Sequence, residues 1–598
     1  MLVTTEQEPA GDEQTTGRRR TLRQRWEARN RRERGIAIVW LALTLLTMVL
    51  FAGFAVDVAN WYLRAERIQR AADAGALAGA AFMPADLSGA TTAAKQVAVK
   101  NGYAVGGSQQ TAVAVSQEAN PNRVRVKITT DVPTFFLGLI GIDKLRMTRE
   151  AVGEYVAPVP MGSPENKLGN DPARNQVTPQ FWINIAGPNS TKESGDRFQA
   201  KNCGSGFANC TGSSNPGITN DDYATDGYFF SLKVKNPVAG QPLNVQVYDP
   251  AFTYVGDFCE QNMPTQAQAN ALQALPGNPY PDAASRYAPT PTSDGQPKSD
   301  ANKWLPTKWC TGDQDIGGRT TRTTFILRAP DNSPWDNSNN PVLCSVTMPY
   351  FTPGQNGFGT INEMLTPTSA KYNAQFASLF RQNVTICSVD APVPAGDYIL
   401  QIRSNALAGS PGTYTASVAD GGHNRMSIFA GFGSSGLATV NGSAVTINAL
   451  GRLPIYANAD AANTTFYLAR VLPYDAGRTL RITLWDMGDA TQAGTLQFIP
   501  PAEQLNGLTN FSGCKFSKTG SASMTTNAST CTISNVSSAN GYNGQQVTID
   551  IPIPANYACN ETDPNGCWIK VRAAFPSGVS DTTTWAAAIL GNPIRIVE

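Results

Sequence analysis

One stretch near the N-terminus constrains this chain more than any other part of the sequence. No charged side chain occurs in residues 35–56, which read GIAIVWLALTLLTMVLFAGFAV. As a helix they would rise about 33 Å, enough to cross the roughly 30 Å hydrocarbon core of a bilayer. Nine arginines precede the stretch between Arg18 and Arg34, whereas acidic and basic residues balance between Asp57 and Ala81. Because positive charge stays on the cytoplasmic side, we expect a single pass through the cytoplasmic membrane, with the N-terminus inside and the C-terminal ectodomain outside.

A cleaved signal peptide is the alternative interpretation of an apolar segment in this position. Its apolar region would be about 7–15 residues long and would end in a small-x-small cleavage site. The segment here is longer, and the sequence after it favours helix without a break until Pro84. We therefore predict a retained anchor, in which a cytoplasmic basic tail at 1–34 precedes a transmembrane and continuing helix at 35–83.

The arginine run is also compatible with a nucleic-acid-binding arm. Over the whole chain, however, 47 basic residues are balanced by 46 acidic ones. No general basic field is therefore available to hold a nucleic acid. The adjoining apolar span favours the lipid bilayer as the partner of this region, and we expect no nucleic-acid partner.

The cysteines indicate an exported location independently. All ten lie after residue 202, and an even count in the predicted outer part is typical of disulfides formed in an oxidising compartment. Zinc is the alternative, but the chain has one histidine and no C-x-x-C pair. The spacing suits local bridges for three neighbouring pairs, Cys203/Cys210, Cys514/Cys531 and Cys559/Cys567. The connectivity of the full set stays open, and its members are Cys203, Cys210, Cys259, Cys310, Cys344, Cys387, Cys514, Cys531, Cys559 and Cys567.

The end of the long helix consists almost entirely of small residues. Residues 71–80 read AADAGALAGA, and small side chains let another helix or sheet approach the backbone closely. Two interpretations stay open at this point. The segment is either an ordinary alanine-rich helix or a packing face for a partner helix, formed by Ala72, Gly75 and Gly79.

Residues 84–156 predict a small α+β unit close to the membrane. An apolar patch, PTFFLGLIG at 133–141, lies between two of its strand-like segments. The proline-, glycine- and asparagine-rich residues 157–176 predict a linker after it. The expected elements of the unit are a helix at 91–102 and strands at 111–116, 123–129 and 145–155.

Beyond the linker, strand-like runs separated by turn residues replace helical periodicity. A partial repeat relates residues 227–251 to residues 464–488. Both copies contain Ala-Gly-x-x-Leu-x-(Val/Ile)-x-(Val/Leu)-aromatic-Asp, which ends at Asp249 in the first copy and at Asp486 in the second. Alternate apolar residues in each copy lie on one face of a strand.

The predicted fold class follows from these segments. It is an N-terminal transmembrane α-helix, a small membrane-proximal α+β unit and then mainly β structure in two related β-sandwich modules. Six cysteines fall in the first module and four in the second, so each module can pair its cysteines internally. The predicted bounds are 177–450 for the first β-sandwich, which includes a long surface insertion at 260–322, and 451–598 for the second.

The N-terminal region resembles the TadE/TadG-like proteins of bacterial Tad (Flp) pilus systems. The resemblance covers residues 31–81 and rests on Glu-Arg-Gly at 33–35, the apolar span, Ala-Val-Asp at 55–57 and the motif Ile-Gln-x-Ala-Ala-Asp-Ala-x-Ala-Leu-Ala-Gly-Ala at 68–80. It is specific because it fixes polar positions within an otherwise apolar helix. It implies a minor pilin-like or assembly component of an adhesive surface fibre, whose partners are other pilus-assembly or surface proteins.

Two departures limit what this resemblance implies. Pilin-like relatives that prepilin peptidase cleaves carry Glu at the fifth position after the cleavage-site glycine, whereas Trp40 stands at that distance from Gly35. We therefore expect no such processing, as in TadG-like rather than TadE-like members. Many larger TadG-like proteins also carry a von Willebrand A domain with an Asp-x-Ser-x-Ser metal site, and no such triplet follows a predicted strand here.

No catalytic constellation can be assembled from the sequence, so we expect neither an enzyme nor a bound cofactor. His423 is the single histidine, and a satisfied surface side chain in a glycine-rich turn is its favoured interpretation. A Ser-His-Asp or Cys-His site would need this residue. The sequence also lacks a G-x-S-x-G elbow and a phosphate loop.

Three aspartates remain as candidate site residues. Asp486 and Asp489 lie in WDMGD at the end of a predicted strand, and Asp249 occupies the position of Asp486 in the first repeat. Capping of a turn is the favoured role. Calcium binding through the carboxylate oxygens and glycosidase-like catalysis are the alternatives.

These observations favour a non-enzymatic, membrane-anchored exported protein of TadG-like type, involved in pilus assembly or surface adhesion. The alternative is a membrane-tethered β-sandwich protein that binds a glycan or another polymer through exposed tryptophans. Trp335 lies in a predicted loop and Trp485 within the repeat, where the core is the better location; Trp304 and Trp309 are further candidates. An exported hydrolase is a third hypothesis, for which the sequence singles out no carboxylate pair.

Overall fold

The computed structural model describes most of the chain. The described residues are 22–84, 86–172, 181–212, 218–256, 259, 262–288, 309–314, 321–331, 337–404, 421–433, 444–459, 464–490, 492–503, 507–563, 566–576, 579–591 and 594–597.

A single long helix, α1, runs from Leu22 to Ala80. Its 59 residues correspond to a length of about 88 Å. Within Ile36–Ala80 the most apolar window has a mean hydropathy of 2.4, and only 6% of it is buried. By length and composition this is the one helix in the described part of the chain that could cross a membrane. The prediction of a long N-terminal apolar helix is confirmed.

The chain folds back on the C-terminal part of α1 to form a small α+β unit. Helix α2 (Leu87–Lys100) begins after Asp86, whose carboxylate accepts a hydrogen bond from the Gly89 N–H at 2.8 Å. An antiparallel meander follows, and a 3₁₀ turn at Leu137–Ile140 lies between its last two strands. We call α2, this meander and residues 57–80 of α1 the membrane-proximal unit. Its strands are β1 (Ala112–Gln117), β2 (Arg123–Pro133) and β3 (Lys144–Tyr155).

The rest of the chain, which we call the body, is mainly antiparallel β structure. The helices in its described residues are short: α3 (Gln266–Gln273), α4 (Ala283–Arg286), α5 (Ile361–Leu365) and α6 (Ala374–Leu379). The strands in its first half are β4 (Pro160–Met161), β5 (Lys167–Leu168), β6 (Phe181–Ala186), β7 (Asn202–Cys203), β8 (Cys210–Thr211), β9 (Ile218–Asn220), β10 (Tyr228–Val234), β11 (Leu243–Tyr248), β12 (Phe252–Thr253), β13 (Thr323–Arg328), β14 (Val342–Met348), β15 (Tyr350–Phe351), β16 (Asn383–Val389), β17 (Gly396–Ser404), β18 (His423–Phe432) and β19 (Val445–Leu450).

The strands in its second half are β20 (Arg452–Ala459), β21 (Thr464–Arg470), β22 (Thr479–Trp485), β23 (Gly494–Ile499), β24 (Lys515–Lys518), β25 (Thr525–Asn527), β26 (Thr532–Val536), β27 (Gln546–Pro552), β28 (Trp568–Ala574), β29 (Val579–Ile589) and β30 (Ile594–Ile596).

Two large antiparallel sheets contain most of these strands. The first has eleven strands in the order β14-β13-β17-β10-β19-β4-β21-β28-β23-β26-β25. The second has ten strands, and nine of them follow the order β16-β11-β18-β6-β20-β29-β22-β27-β24. Its tenth strand, β5, pairs with β18. Smaller sheets join β7-β9-β8 and, in parallel, β12-β15. Strand β30 belongs to neither large sheet, because it pairs with β3 as the fourth strand of the membrane-proximal unit.

Both large sheets run through both halves of the body, so the predicted division into two β-sandwich modules is not confirmed. The predicted boundary after residue 450 falls between β19 and β20, yet β20 pairs with β6 from the first half. Strand β4 likewise pairs with β19 on one side and with β21 on the other. The predicted linker at 157–176 therefore supplies strands to the sheets, and Met161 and Leu168 from it are fully buried.

The core between the sheets is continuous. Fully buried apolar side chains from both sheets and from both halves form one cluster, which includes Leu232, Val245, Leu453, Ile482 and Val571. The described part of the predicted surface insertion also contributes to it, since Leu272 and Tyr287 are buried there. Helix α3 lies in this segment and packs on the core through the buried Leu272.

All ten cysteines lie in pairs, with Cα–Cα distances of 5.3 to 6.3 Å. Two of the bridges hold the two large sheets together at their edges. Cys344 on β14 pairs with Cys387 on β16, and these are the terminal strands of the two sheets at one end. At the other end, Cys514 before β24 pairs with Cys531 before β26. The remaining pairs are Cys203–Cys210, Cys259–Cys310 and Cys559–Cys567.

Candidate functional site

The small residues at the end of α1 pack against the chain itself. Ala72, Gly75 and Gly79 are all buried. A Cβ added to Gly75 would lie 3.4 Å from the Ala94 carbonyl oxygen, and one added to Gly79 would lie 3.3 Å from the Val124 Cγ1. The predicted close approach is therefore present, but the expectation of a separate partner helix is corrected, because α2 and β2 already occupy this face.

A second close approach, between β3 and α1, depends on a glycine of the strand rather than of the helix. Gly153 on β3 passes so near α1 that a Cβ there would lie 2.3 Å from the carbonyl oxygen of Ala76 and 3.1 Å from the Cβ of Ala80. Only a residue without a side chain fits between the strand and the helix at this point. The sequence alone gave no signal for this role, since an isolated glycine in a strand has several explanations.

Polar residues of α1 hold the same unit by hydrogen bonds. The fully buried Asp57 carboxylate accepts three backbone N–H groups, from Phe135 at 2.6 Å, Phe136 at 2.9 Å and Leu137 at 2.8 Å. A buried carboxylate requires such donors to replace its hydration. These donors lead into the 3₁₀ turn at Leu137–Ile140, so one side chain of the helix fixes the position of the whole β2–β3 connection.

Two amide side chains extend this arrangement along the helix. Asn60 donates to the carbonyl oxygen of Pro133 at 3.2 Å, and Gln69 donates to that of Glu150 at 3.0 Å. Gln69 also donates to the Asp73 carboxylate at 2.8 Å. We call the set Asp57, Asn60, Gln69, Ala72, Gly75 and Gly79 the docking face of α1. Its polar members form hydrogen bonds with β2, β3 and the turn between them. Its small members leave room for α2 and β2 to pack closely on the helix.

At the far end of the unit, Glu154 joins it to the body. Its side chain is 1% exposed, and its carboxylate accepts from Arg123 on β2 at 3.1 Å. Arg595 on β30 donates to the same carboxylate at 2.9 and 3.0 Å, and Arg478, directly before β22, donates to it as well. Burial alone would raise the pKa of Glu154, but hydrogen bonds from Arg478, Arg595 and Arg123 outweigh it and lower the pKa.

The two repeated aspartates have the same structural role in the body. Both follow a strand with a left-handed backbone, at φ 54° for Asp249 and φ 58° for Asp486. Asp249 accepts from the Arg381 N–H at 3.0 Å, and Asp486 accepts from the Gly544 N–H. The backbone N–H groups of Asp249 and Asp486 in turn donate at 2.9 Å to the carbonyl oxygens of Gln382 and Gln545, the residues that follow Arg381 and Gly544. These hydrogen bonds fix the turns that lead into β16 and β27.

Burial raises the pKa of both repeated aspartates. It raises the pKa of Asp249 to about 6, against the lowering effect of Arg381 and Thr311. It also raises the pKa of Asp486, with a further contribution from Asp489. Asp489 itself accepts from the Asn543 amide at 2.9 Å. Within the described ranges, no group of three or more His, Cys, Asp or Glu residues is placed to hold a metal ion. Calcium binding at Asp249, Asp486 and Asp489 stays an untested alternative to the capping role.

The single histidine is buried, which corrects the prediction of a surface side chain. His423 is the first residue of β18 rather than part of a turn, and its Nδ1 lies 3.1 Å from the Asn184 Oδ1. Its Nε2 has no hydrogen-bond partner in the described part of the chain. Burial and the nearby Arg425 lower the pKa of His423 well below its usual range, so the ring is neutral.

The tryptophans that are described do not form an exposed platform. Trp485 is fully buried and donates to the Lys192 carbonyl at 2.7 Å. Trp309 packs against Tyr248 with ring centroids 6.2 Å apart. Trp304 and Trp335 lie outside the described residues.

Comparison with known families identifies the N-terminal region. Residues 35–81 match the model of the putative Flp pilus-assembly TadE/G-like family. This segment contains the apolar span together with every residue of the docking face. No curated protein and no solved structure matches the chain.

Proposed function

We propose that this chain is a non-enzymatic, single-pass membrane protein that takes part in the assembly or surface display of a Tad-type pilus. The observation that carries the proposal is the TadE/G-like match at 35–81, because it covers both the exposed apolar helix and the docking face. The family segment thus supplies an anchor and also the surface on which the membrane-proximal unit folds. Residues 1–34 would lie in the cytoplasm, and the body would lie outside.

Two features of the chain support this orientation. Arginine is concentrated before the span, on the side that the positive-inside rule assigns to the cytoplasm. All cysteines lie in pairs in the body, as expected for a compartment that permits disulfides. Measured along α1 from Val56 to Ala80, the helix would hold the start of the body about 36 Å beyond the span.

A topology experiment tests the anchor. Spheroplasts that express the full chain with different epitopes at its two ends would be treated with protease. We expect digestion of the C-terminal body and protection of the N-terminal epitope, which lysed spheroplasts should lose. Protection of the body in intact spheroplasts, together with free thiols that can be labelled, would reverse the proposed orientation.

Purification from the native membrane tests the pilus assignment. We expect the full chain, extracted in mild detergent, to bring other Tad components with it. A matched control replaces residues 36–52 with an unrelated leucine-rich span, which leaves Gly53, Asp57 and the docking face in place. Loss of the components from this control would assign the association to the span, and their absence from the parent chain would contradict the proposal.

We also propose that the body consists of two related β-sandwich modules joined side by side. In each repeat the first strand (β10 or β21) lies in the eleven-stranded sheet and the second strand (β11 or β22) lies in the ten-stranded sheet. The equivalent hydrogen bonds of Asp249 and Asp486 support the same relationship. The shared sheets would then be a product of fusion, in which β4 and β6 fill the junction.

The absence of enzymatic activity is part of the proposal. The buried acids hold backbone N–H groups, and the buried His423 is neutral. Turnover of any polymer by the purified chain that is abolished by a single Asp-to-Asn substitution would contradict it.

A further inference from the structure

The β2–β3 connection of the membrane-proximal unit exposes a cluster of large apolar side chains. Leu139 is 81% exposed, Ile140 65% and Phe135 60%. No charged residue occurs from Thr134 to Ile142. We call residues 133–142 the apolar loop. Contiguous exposed apolar side chains on a folded unit indicate a surface that another apolar phase covers.

The position of the apolar loop along α1 is fixed by side-chain contacts. Asp57 binds its backbone N–H groups, and Asn60 binds the carbonyl of Pro133. The ring of Phe136 packs on Gly53, where a Cβ would lie 2.6 Å from the Phe136 Cγ. Gly53 is inside the uncharged span and Asp57 directly follows it. The loop therefore lies at the outer end of the membrane-spanning segment.

The surroundings of the loop select the bilayer as the phase that covers it. The apolar surface of α1 is exposed from Ile36 through Val58, so the loop continues a surface that lipid already has to cover. Directly behind the loop, Lys144 and Arg146 surround Asp131 at 2.7 and 3.3 Å, and both bases stay more than half exposed. An apolar tip backed by exposed charged side chains matches the boundary between acyl chains and polar headgroups.

We propose that the apolar loop inserts into the outer leaflet of the same bilayer that α1 crosses. The proposal rests on the membrane anchoring proposed above. It gives the chain a second membrane attachment on one side of the helix, which restricts rotation and tilt of the membrane-proximal unit. The body, joined to that unit through Glu154 and β30, would then keep a defined orientation to the surface.

Site-directed spin labelling of the full chain tests this insertion. Because all ten native cysteines are paired, a cysteine introduced by Leu139→Cys provides a unique labelling site. Leu46→Cys, at the centre of the span, is the reference for lipid. Leu87→Cys is the matched control, since Leu87 is an exposed apolar residue of the same unit at the end away from the bilayer. Each labelled chain would be reconstituted in phosphatidylcholine–phosphatidylglycerol vesicles, and its accessibility to oxygen and to a water-soluble nickel complex measured.

We expect the oxygen-to-nickel accessibility ratio at Leu139 to be several-fold higher than at Leu87 and to approach the ratio at Leu46. A ratio at Leu139 equal to that at Leu87, with Leu46 still in lipid, would overturn the inserted loop and leave the anchor intact. Water accessibility at Leu46 would instead overturn the anchor. Low accessibility at Leu139 to both reagents would show that protein, such as a second copy of the chain, covers the loop. Ile140→Cys provides a second site and should give the same pattern as Leu139→Cys.

Discussion

Asp249 and Asp486 show what a repeated acidic residue does at the end of a strand. Each holds a buried backbone N–H group of a neighbouring turn and adopts a left-handed backbone. Substitution of either by alanine leaves that N–H without an acceptor and places a Cβ-bearing, non-polar residue at positive φ. We expect a loss of about 2–4 kcal/mol in the free energy of unfolding, from thermal or denaturant unfolding of the full chain in detergent.

Asparagine is the matched control at both positions. Its side-chain oxygen can accept the same hydrogen bond, and asparagine tolerates the left-handed region. We expect Asp249→Asn and Asp486→Asn to cost less than about 1 kcal/mol. Calcium or a chelator should leave the unfolding midpoint of the parent chain unchanged. A calcium-dependent stabilisation that Asp486→Asn removes would contradict the capping role and support the calcium alternative.

Gly153 is the glycine of the membrane-proximal unit that leaves the least room for a side chain. The Cβ in Gly153→Ala would overlap the backbone carbonyl of Ala76, so β3 has to move away from α1. We expect a loss of about 1–3 kcal/mol in the free energy of unfolding, with faster amide hydrogen exchange in β3. Gly138→Ala is the control, because the nearest atoms to its Cβ lie 3.7 Å away. Equal behaviour of the two variants would show that the helix and strand are not in tight contact.

At the scale of elements, local signals explain which parts of the fold could be predicted. The apolar span and the unbroken helix-favouring sequence after it predict α1, although the helix begins at Leu22 rather than near residue 35. Alternation and turn residues similarly predict β2 and β3 within a few residues. The pairing of β30 with β3 has no local signal, because it joins residues more than 400 positions apart.

The contacts of the candidate site also join residues that are distant in sequence, which limits their prediction. The composition of the docking face indicated close packing, but its neighbour could not be identified because small side chains suit an internal contact and a separate helix equally well. Asp57 is part of the motif that carries the family resemblance, yet its hydrogen-bond donors lie near residue 136. Spacing suggested three of the disulfides, whereas Cys259–Cys310 and Cys344–Cys387 close long loops whose ends meet only in the folded body.

The disulfide between β14 and β16 gives a prediction for whole strands. Replacing Cys344 and Cys387 together by alanine removes the link between the terminal strands of the two large sheets. For a sequence separation of 43 between the two cysteines, the loop-entropy model gives a loss of about 4 kcal/mol. We expect the unfolding midpoint to fall and limited proteolysis to cut first near β14 or β16.

The matched control for this prediction is the Cys203–Cys210 bridge. It closes a loop with a separation of 7 residues within the small β7-β9-β8 sheet, outside both large sheets. Its double replacement by alanine should cost about 2–3 kcal/mol by the same model and leave β14 and β16 resistant to protease. If both double variants lose the same stability and are cut at the same place, the edge bridge has no special role.

At the scale of the whole molecule, Glu154 connects three parts of the chain that are distant in sequence. Its arginine partners come from the membrane-proximal unit, the body and the C-terminal strand. The pKa of Glu154 is lower than its usual 4.5 because the arginine hydrogen bonds outweigh burial. An acid with a lowered folded-state pKa stabilises the fold above its unfolded-state pKa, and this stabilisation is lost as the pH falls through the folded-state value.

Glu154→Gln should therefore weaken the connection between the membrane-proximal unit and the body in a pH-dependent way. At neutral pH we expect a loss of about 2–3 kcal/mol in the free energy of unfolding, less than for a fully buried pair because Arg123 and Arg595 remain partly exposed. The difference from the parent chain should shrink as the pH falls from 4.5 through the lowered folded-state pKa, because the carboxylate of the unfolded parent is protonated first and that of the folded parent follows. Thermal unfolding of both full chains over a range of pH measures this difference.

Asp475 provides a control of opposite sign in the same cluster. It lies 3.2 Å from Arg478, but burial raises its pKa to about 6. Its contribution to stability is therefore present at acid pH and is lost as the pH rises through 6. Asparagine carries no charge at any pH, so Asp475→Asn does not lose this contribution. As the pH rises through 6, the free energy of unfolding of Asp475→Asn should therefore increase relative to that of the parent by roughly 2–3 kcal/mol. A stability difference for Glu154→Gln that stays constant over the acid range, or that follows the direction of Asp475→Asn, would mean that the charge of Glu154 does not hold the body to the membrane-proximal unit.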